Sequence, residues 1–174
     1  MTKWMILAFI GGIFGTFLMD WLKKLLASMG LRNGVSVPLL GRWFLGFLQG
    51  TPEHTDISKS PALPHENSLG WFFHVIIGGG CVALLYPTLF QMTLIPMPEN
   101  HMLSGVLFGL ITVLIPGLFL LPSFGWGTLG LKAPNAHHPL LVSILCHLVF
   151  GFGLGLVMTF VQIEGLWIWK PTKY

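Results

Sequence analysis

Two histidines stand inside apolar stretches with the same small-residue pattern behind them. "FHVIIGGG" at residues 73–80 and "CHLVFGFG" at residues 146–153 both read His-x-x-x-Gly-x-Gly, so Gly78 follows His74, and Gly151 follows His147, by one helical turn. Residues four apart share a helix face, and a glycine there leaves room beside the ring. Three chemistries suit such a pair. The imidazoles can ligate haem or a metal ion, relay protons, or hydrogen-bond a carbonyl of a close-packed neighbouring helix. A haem needs two rings on opposite sides of a flat macrocycle with small residues to admit it, and His74/Gly78 with His147/Gly151 are residues of those types. A metal ion needs further donors, for which Asp20 with Glu66 or His54 are the candidates.

Asp20 belongs to another apolar stretch. Ionisable groups inside a span are costly and normally face the protein interior at a functional site. Lys24, four residues on, offers the alternative of a local ion pair. The loop "TPEHTDISKSPALPHENSLGW" at residues 51–71 carries Glu53, His54, Asp56, His65 and Glu66, and residues 51–70 suit a lid over the site. Pro52, Pro61 and Pro64 equally suit an ordinary solvated loop. His137 and His138 precede an apolar stretch, where interfacial solvation accounts for them, and His101 falls at the opposite face of the membrane. The candidate site is therefore His74, His147, Asp20, Gly78, Gly151, Glu66 and His54, with His74, His147 and Asp20 as the candidate metal ligands.

The elements that must position these residues follow from composition. Only 9% of the 174 residues are charged and 53% are hydrophobic, with mean hydropathy +0.77, whereas a soluble domain has about a quarter charged. The chain reads as a single all-α integral membrane domain over residues 1–174. A span needs about 20 mostly apolar residues, and four stretches qualify: 4–26, 71–93, 104–121 and 140–162. The first is followed by Asp20, Trp21, Lys23 and Lys24 instead of a small-residue cleavage site, so it is expected to be retained. Residues 38–50, "PLLGRWFLGFLQG", are apolar but too short to cross, and are expected to form a short interfacial helix in the first loop.

The face after the first and third spans carries Lys23, Lys24, Arg32, Arg42, Lys59 and Lys132, and the opposite face Lys3, Lys170 and Lys173. The positive-inside rule then puts the long first loop in the cytoplasm and both termini outside, in a bacterial inner membrane. The helices before the two histidine stretches each hold a Gly-x-x-x-Gly pair, Gly11/Gly15 and Gly105/Gly109, a spacing that lets backbones approach. Two glycine-packed hairpins related by a pseudo-twofold axis are the expected arrangement. It would bring His74 and His147 face to face.

Several classes fall away. A net charge of +3 with no dense basic run argues against nucleic acid. Cys81 and Cys146, in separate apolar stretches, form no paired-cysteine motif, and each suits a small buried apolar position. There is no Gly-x-Ser-x-Gly, His-Glu-x-x-His or phosphate-binding glycine loop. An Asp–His catalytic site needs no such motif, so catalysis stays open.

The run of pieces "MDWLKK", "GRW", "SPALPHENSLGWFFH", "PSFG" and "HLVFGFGLG", in that order, resembles the bacterial four-span proteins catalogued as domain of unknown function 2938, over about residues 8–160. The resemblance implies a four-helix membrane protein and groups Asp20, Arg42, Glu66, His74 and His147 within the matching pieces. It implies no activity. The leading expectation is a membrane protein binding a cofactor (haem or a metal ion) or small ligand at a His/Asp centre in the cytoplasmic half. The alternatives are a small proton-linked transporter or channel-like subunit, working as a homodimer, and a structural partner of a larger membrane complex.

Overall fold

A computed structural model describes residues 2–134 and 138–163, with side chains to residue 160. His137, Lys170 and Lys173 lie outside the described residues. Among these residues the chain is helical without a β-strand: α1 (Thr2–Ser28), α2 (Val37–Leu48), α3 (Glu66–Met92), α4 (His101–Ser123) and α5 (Pro139–Ile163). Four of them, α1, α3, α4 and α5, are long and apolar enough to cross a membrane. The protein is a multi-pass membrane protein.

Two helices begin earlier than hydropathy alone places them. The first turn of α3, Glu66 to Leu69, is polar because it is anchored sideways, by Arg42 of α2. α4 starts at His101 because the Asn100 side chain accepts the Leu103 N–H at 3.0 Å, which satisfies one of the orphan donors of a helix N-terminus. α2 has twelve residues, about 18 Å of helix, too short to cross. It lies against the start of α3, where Gly41 packs on the Glu66 and Gly70 backbone and Gly70 on Val37.

α5 is the packing centre, in close contact with both α1 and α4, while α3 packs on α1. The spans thus form a row, α3–α1–α5–α4. A twofold axis relating the two hairpins would pair α3 with α4 as closely as α1 with α5, and α3 and α4 do not pack that closely. The glycines show why. Gly105 and Gly109 face their own hairpin partner: a Cβ on either would lie 2.8 Å from the Cα of Gly155 or Gly151. Gly11 and Gly15 face the other hairpin instead, against Leu154 and the Phe150 backbone of α5. It is Gly12 that meets α3, at Gly79 and Ala83.

With α3 and α4 apart, the two ends of the bundle differ. At the far end Tyr86 of α3 crosses to α4, its hydroxyl 2.9 Å from His101 Nδ1 and 2.7 Å from Ser104 Oγ. At the end bearing the first loop the helices separate, and both change winding there. Residues Phe73–Cys81 of α3 and Pro116–Leu120 of α4 are π-helical. Pro116 cannot donate the bond that an α-helix expects, and single π turns tend to mark functional sites. The gap between them is a cavity.

Candidate functional site

The cavity, about 280 Å³, lies between all four spans and is closed at one side by Leu40 and Trp43 of α2. Its walls are mostly aliphatic and aromatic. The polar groups on it are few: Lys23 from α1, His74 from α3, Thr112 from α4, and Ser143 and His147 from α5, with Asn33 from the connection before α2. A few placed polar groups in an apolar concavity are the usual composition of a small-molecule site.

His74 on the wall is paired with Asp20, which stands behind it and does not itself line the cavity. Asp20 Oδ1 is 2.9 Å from His74 Nε2, and both side chains are largely buried, at 14% and 15% exposure. An imidazole nitrogen facing a carboxylate carries the proton, so Nε2 donates. Asp20 therefore looks across to α3 and not back along its own helix: Lys24 is exposed and makes no ion pair with it. The second carboxylate oxygen, Oδ2, is buried without a hydrogen-bond partner among the described residues. His147 Nδ1 lies 2.8 Å from the Ser143 carbonyl. A carbonyl can only accept, so Nδ1 carries the proton and Nε2 is left as the nitrogen free for a ligand. Trp43 also has a buried indole N–H without a partner.

The glycines beside the two histidines are not equivalent. A Cβ on Gly78 would meet only the Phe73 carbonyl, at 3.5 Å, and Gly78 borders the cavity. Gly151 is closed against the Gly105 carbonyl, with the Cα of Gly109 at 2.9 Å from its added Cβ. Its role is helix packing. A macrocycle between His74 and His147 therefore has no open face at Gly151, and His74 Nε2 is already engaged by Asp20, so these residues do not fit a haem. Nor, among the described residues, do three His, Cys, Asp or Glu side chains gather where they could hold a metal ion.

Glu66 and His54 lie elsewhere. Glu66 receives Arg42 through two bonds, Nε to Oε2 at 2.9 Å and Nη2 to Oε1 at 3.0 Å, and also accepts the Leu63 N–H at 2.9 Å. Arg42 Nη1 donates to the Ile57 and Ser60 carbonyls as well. The pair is a clamp that holds the first loop to α2 and α3. His54 donates its backbone N–H to the Ser123 carbonyl, and Ile57 donates to Phe124. Trp126 Nε1 reaches Asp56 Oδ1 at 3.0 Å. The loop is thus a fixed cap, knitted to the segment after α4. Asp56, accepting from Ser58 and Trp126, has its carboxyl lowered to about 2.

The sequence reading missed Lys23, Trp43 and Thr112. Lys23 was the findable one: three residues after Asp20, it shares that helix face. Its Nζ donates to the Val35 carbonyl at 2.7 Å. It also set aside His101, which is 1% exposed and bonded to Tyr86. Of the cysteines, Cys146 is buried and Cys81 exposed, and both are free.

Residues 9–161 match the family described as a protein of unknown function, DUF2938. The chain belongs to the DUF2938 family. No curated protein matches the chain, and no solved structure does. In this DUF2938 chain the match takes in every residue of the cavity wall and the Arg42–Glu66 clamp, so the site is part of what the family match covers and not an appendage to it.

Proposed function

We propose that this protein binds a small, largely apolar ligand in the cavity between its four spans, with His74 and His147 as the polar contacts and Asp20 holding His74 from behind. The observation that carries the reading is the Asp20–His74 pair. A buried carboxylate bonded to an imidazole inside a span is expensive to maintain. Here its histidine faces a cavity, and Trp43 on the same wall has a buried N–H with no partner among the described residues. Buried polar atoms are nearly always bonded, and a bound molecule would supply the missing partner. The volume is near the lower end of ligand pockets, about 300–1,000 Å³, which points to a slender molecule. We place the protein in a bacterial inner membrane with the capped end in the cytoplasm, on the lysines and arginines of the first loop.

The test is mass spectrometry of small molecules released from the protein purified in mild detergent. The wild type should carry a specific molecule that a His74→Ala, His147→Ala double variant, folded by circular dichroism, does not. Equal content in both would overturn the reading.

A second reading, a proton-linked transporter acting as a homodimer, is favoured by the polar chain at the far end. His101 Nδ1, Tyr86, Ser104 and the Asn100 carbonyl are joined in sequence. His101 and Thr112 stand about 16 Å apart along α4, so polar groups occupy two depths. Proton flux in proteoliposomes that is lost in Tyr86→Phe would favour it, and absence of flux with the wild type would exclude it.

A further inference from the structure

The cavity has a neighbour. A second concavity of about 390 Å³ opens at the end of α1, lined by Lys23, Arg32, Asn33, Ser58 and Trp126 among others. Lys23, Asn33 and Val35 border both spaces, so the two share one wall. Both walls are mostly apolar; to the shared Lys23 and Asn33 the outer space adds Arg32 and Ser58, and the inner one adds His74 and His147. Among the described residues lining either space there is no carboxylate.

Lys23 commits one of its three N–H donors to the Val35 carbonyl, and an ammonium has three to give. Arg32 makes no ion pair with a described carboxylate and is exposed. The Asp20 carboxylate is turned to His74, and Asp56 is engaged by Ser58 and Trp126. Lys23 and Arg32 beside a mostly apolar slot, with the nearby Asp20 and Asp56 carboxylates turned to other partners, form a receptor for an anion that carries an apolar tail.

We propose that the two spaces together form one site for an amphiphile with a phosphate-bearing head and a single apolar tail. The head sits between Lys23 and Arg32, and the tail enters past Val35 towards His74 and Phe150. This rests on the ligand-binding reading and specifies the ligand class. Two cations favour a phosphate monoester, which can carry two charges, over a singly charged carboxylate. The same head chemistry occurs in a membrane lipid and in free phosphate, and the tail separates them.

The experiment measures binding of four probes to the full chain in nonionic detergent: 1-palmitoyl lysophosphatidate, palmitate, 1-palmitoylglycerol and inorganic phosphate. Lysophosphatidate should bind about tenfold or more tightly than 1-palmitoylglycerol, as expected for cations at an interface. Arg32→Glu, an exposed change that leaves the fold alone, should bring it to the level of the neutral lipid. Lys23→Gln should do the same, but it also loses part of its Val35 contact, so Arg32→Glu is the deciding variant. Equal binding of lysophosphatidate and 1-palmitoylglycerol, or of lysophosphatidate and palmitate, overturns this proposal while leaving a ligand-binding cavity in place. Inorganic phosphate binding as tightly as lysophosphatidate overturns the tail assignment and makes free phosphate the ligand. No binding of any probe, with no co-purifying molecule, overturns both readings.

Discussion

Asp20 and His74 stand 54 positions apart, with the first loop between them, yet they meet at 2.9 Å between Oδ1 and Nε2. The contact exists because α1 and α3 touch closely lower down. Gly12 and Thr16 on α1 meet Gly79 on α3, and a side chain at any of the glycines would hold the helices apart. Removing either member of the pair leaves the other buried and unpaired. Asp20→Ala and His74→Ala should each destabilise the protein, and the double variant should cost less than their sum by about 0.5–3 kcal/mol. Thermal unfolding in detergent gives all three values. Additive losses would mean that the two groups do not interact in the folded protein.

Gly78 and Gly151 should respond to alanine in opposite ways, although the sequence presents them as counterparts. Gly151→Ala forces a methyl group into the Gly105 and Gly109 backbone and should cost about 1–3 kcal/mol, the usual range for overpacking. Gly78→Ala has only the Phe73 carbonyl nearby, at 3.5 Å, so stability should hold while the methyl narrows the cavity and ligand binding falls. Melting temperature and probe affinity, read on the same two proteins, separate the effects. Similar stability losses in both would restore the symmetric picture.

What could be read without coordinates follows from how far each signal reaches. Four spans are local averages of hydropathy, and local averages survive tertiary context. The Asp20–His74 pairing was within reach because both are ionisable residues in apolar stretches, where interior partners are almost compulsory. The expected twofold arrangement asked more of the glycines than they carry, since Gly-x-x-x-Gly says that a helix has a flat face without saying which neighbour uses it. Gly11 and Gly15 belong to α5, and Gly12, unremarkable in sequence, belongs to α3. Glu66 and His54 lie off the cavity wall for a related reason. A polar loop beside a site looks like a lid until its bonds are traced, and here they run to Arg42, Ser123 and Phe124. The cavity itself depends on α3 and α4 standing apart, a negative property that no residue announces.

The Arg42–Glu66 clamp should matter more for stability than for binding. Both side chains are mostly buried, at 10% and 14% exposure, and Arg42 fixes two loop carbonyls besides. Arg42→Met strands Glu66 and frees the loop, which should cost about 3–5 kcal/mol. Arg42→Met with Glu66→Leu removes both charges and should recover part of that loss. A double variant as unstable as Arg42→Met alone would show that the loop carbonyls, and not the carboxylate, are what Arg42 serves.

The cap over the site should release in acid, through Asp56. Its carboxylate accepts from the Ser58 N–H and hydroxyl and from Trp126 Nε1, and these bonds, Ser58 first, lower it from its ordinary 3.8 to about 2. A carboxyl lowered on folding favours the folded state whenever it is ionised. That contribution is complete above 3.8 and is lost as the pH falls from 3.8 towards about 2. The protection of residues 51–65 against hydrogen exchange, taken relative to the intrinsic rate at each pH, should therefore fall in that window in the wild type. In Asp56→Asn the side chain cannot ionise, so protection should be lower from the outset and flat across the same range. A wild-type loop that loosens well above 3.8 would assign the acid sensitivity to a group other than Asp56.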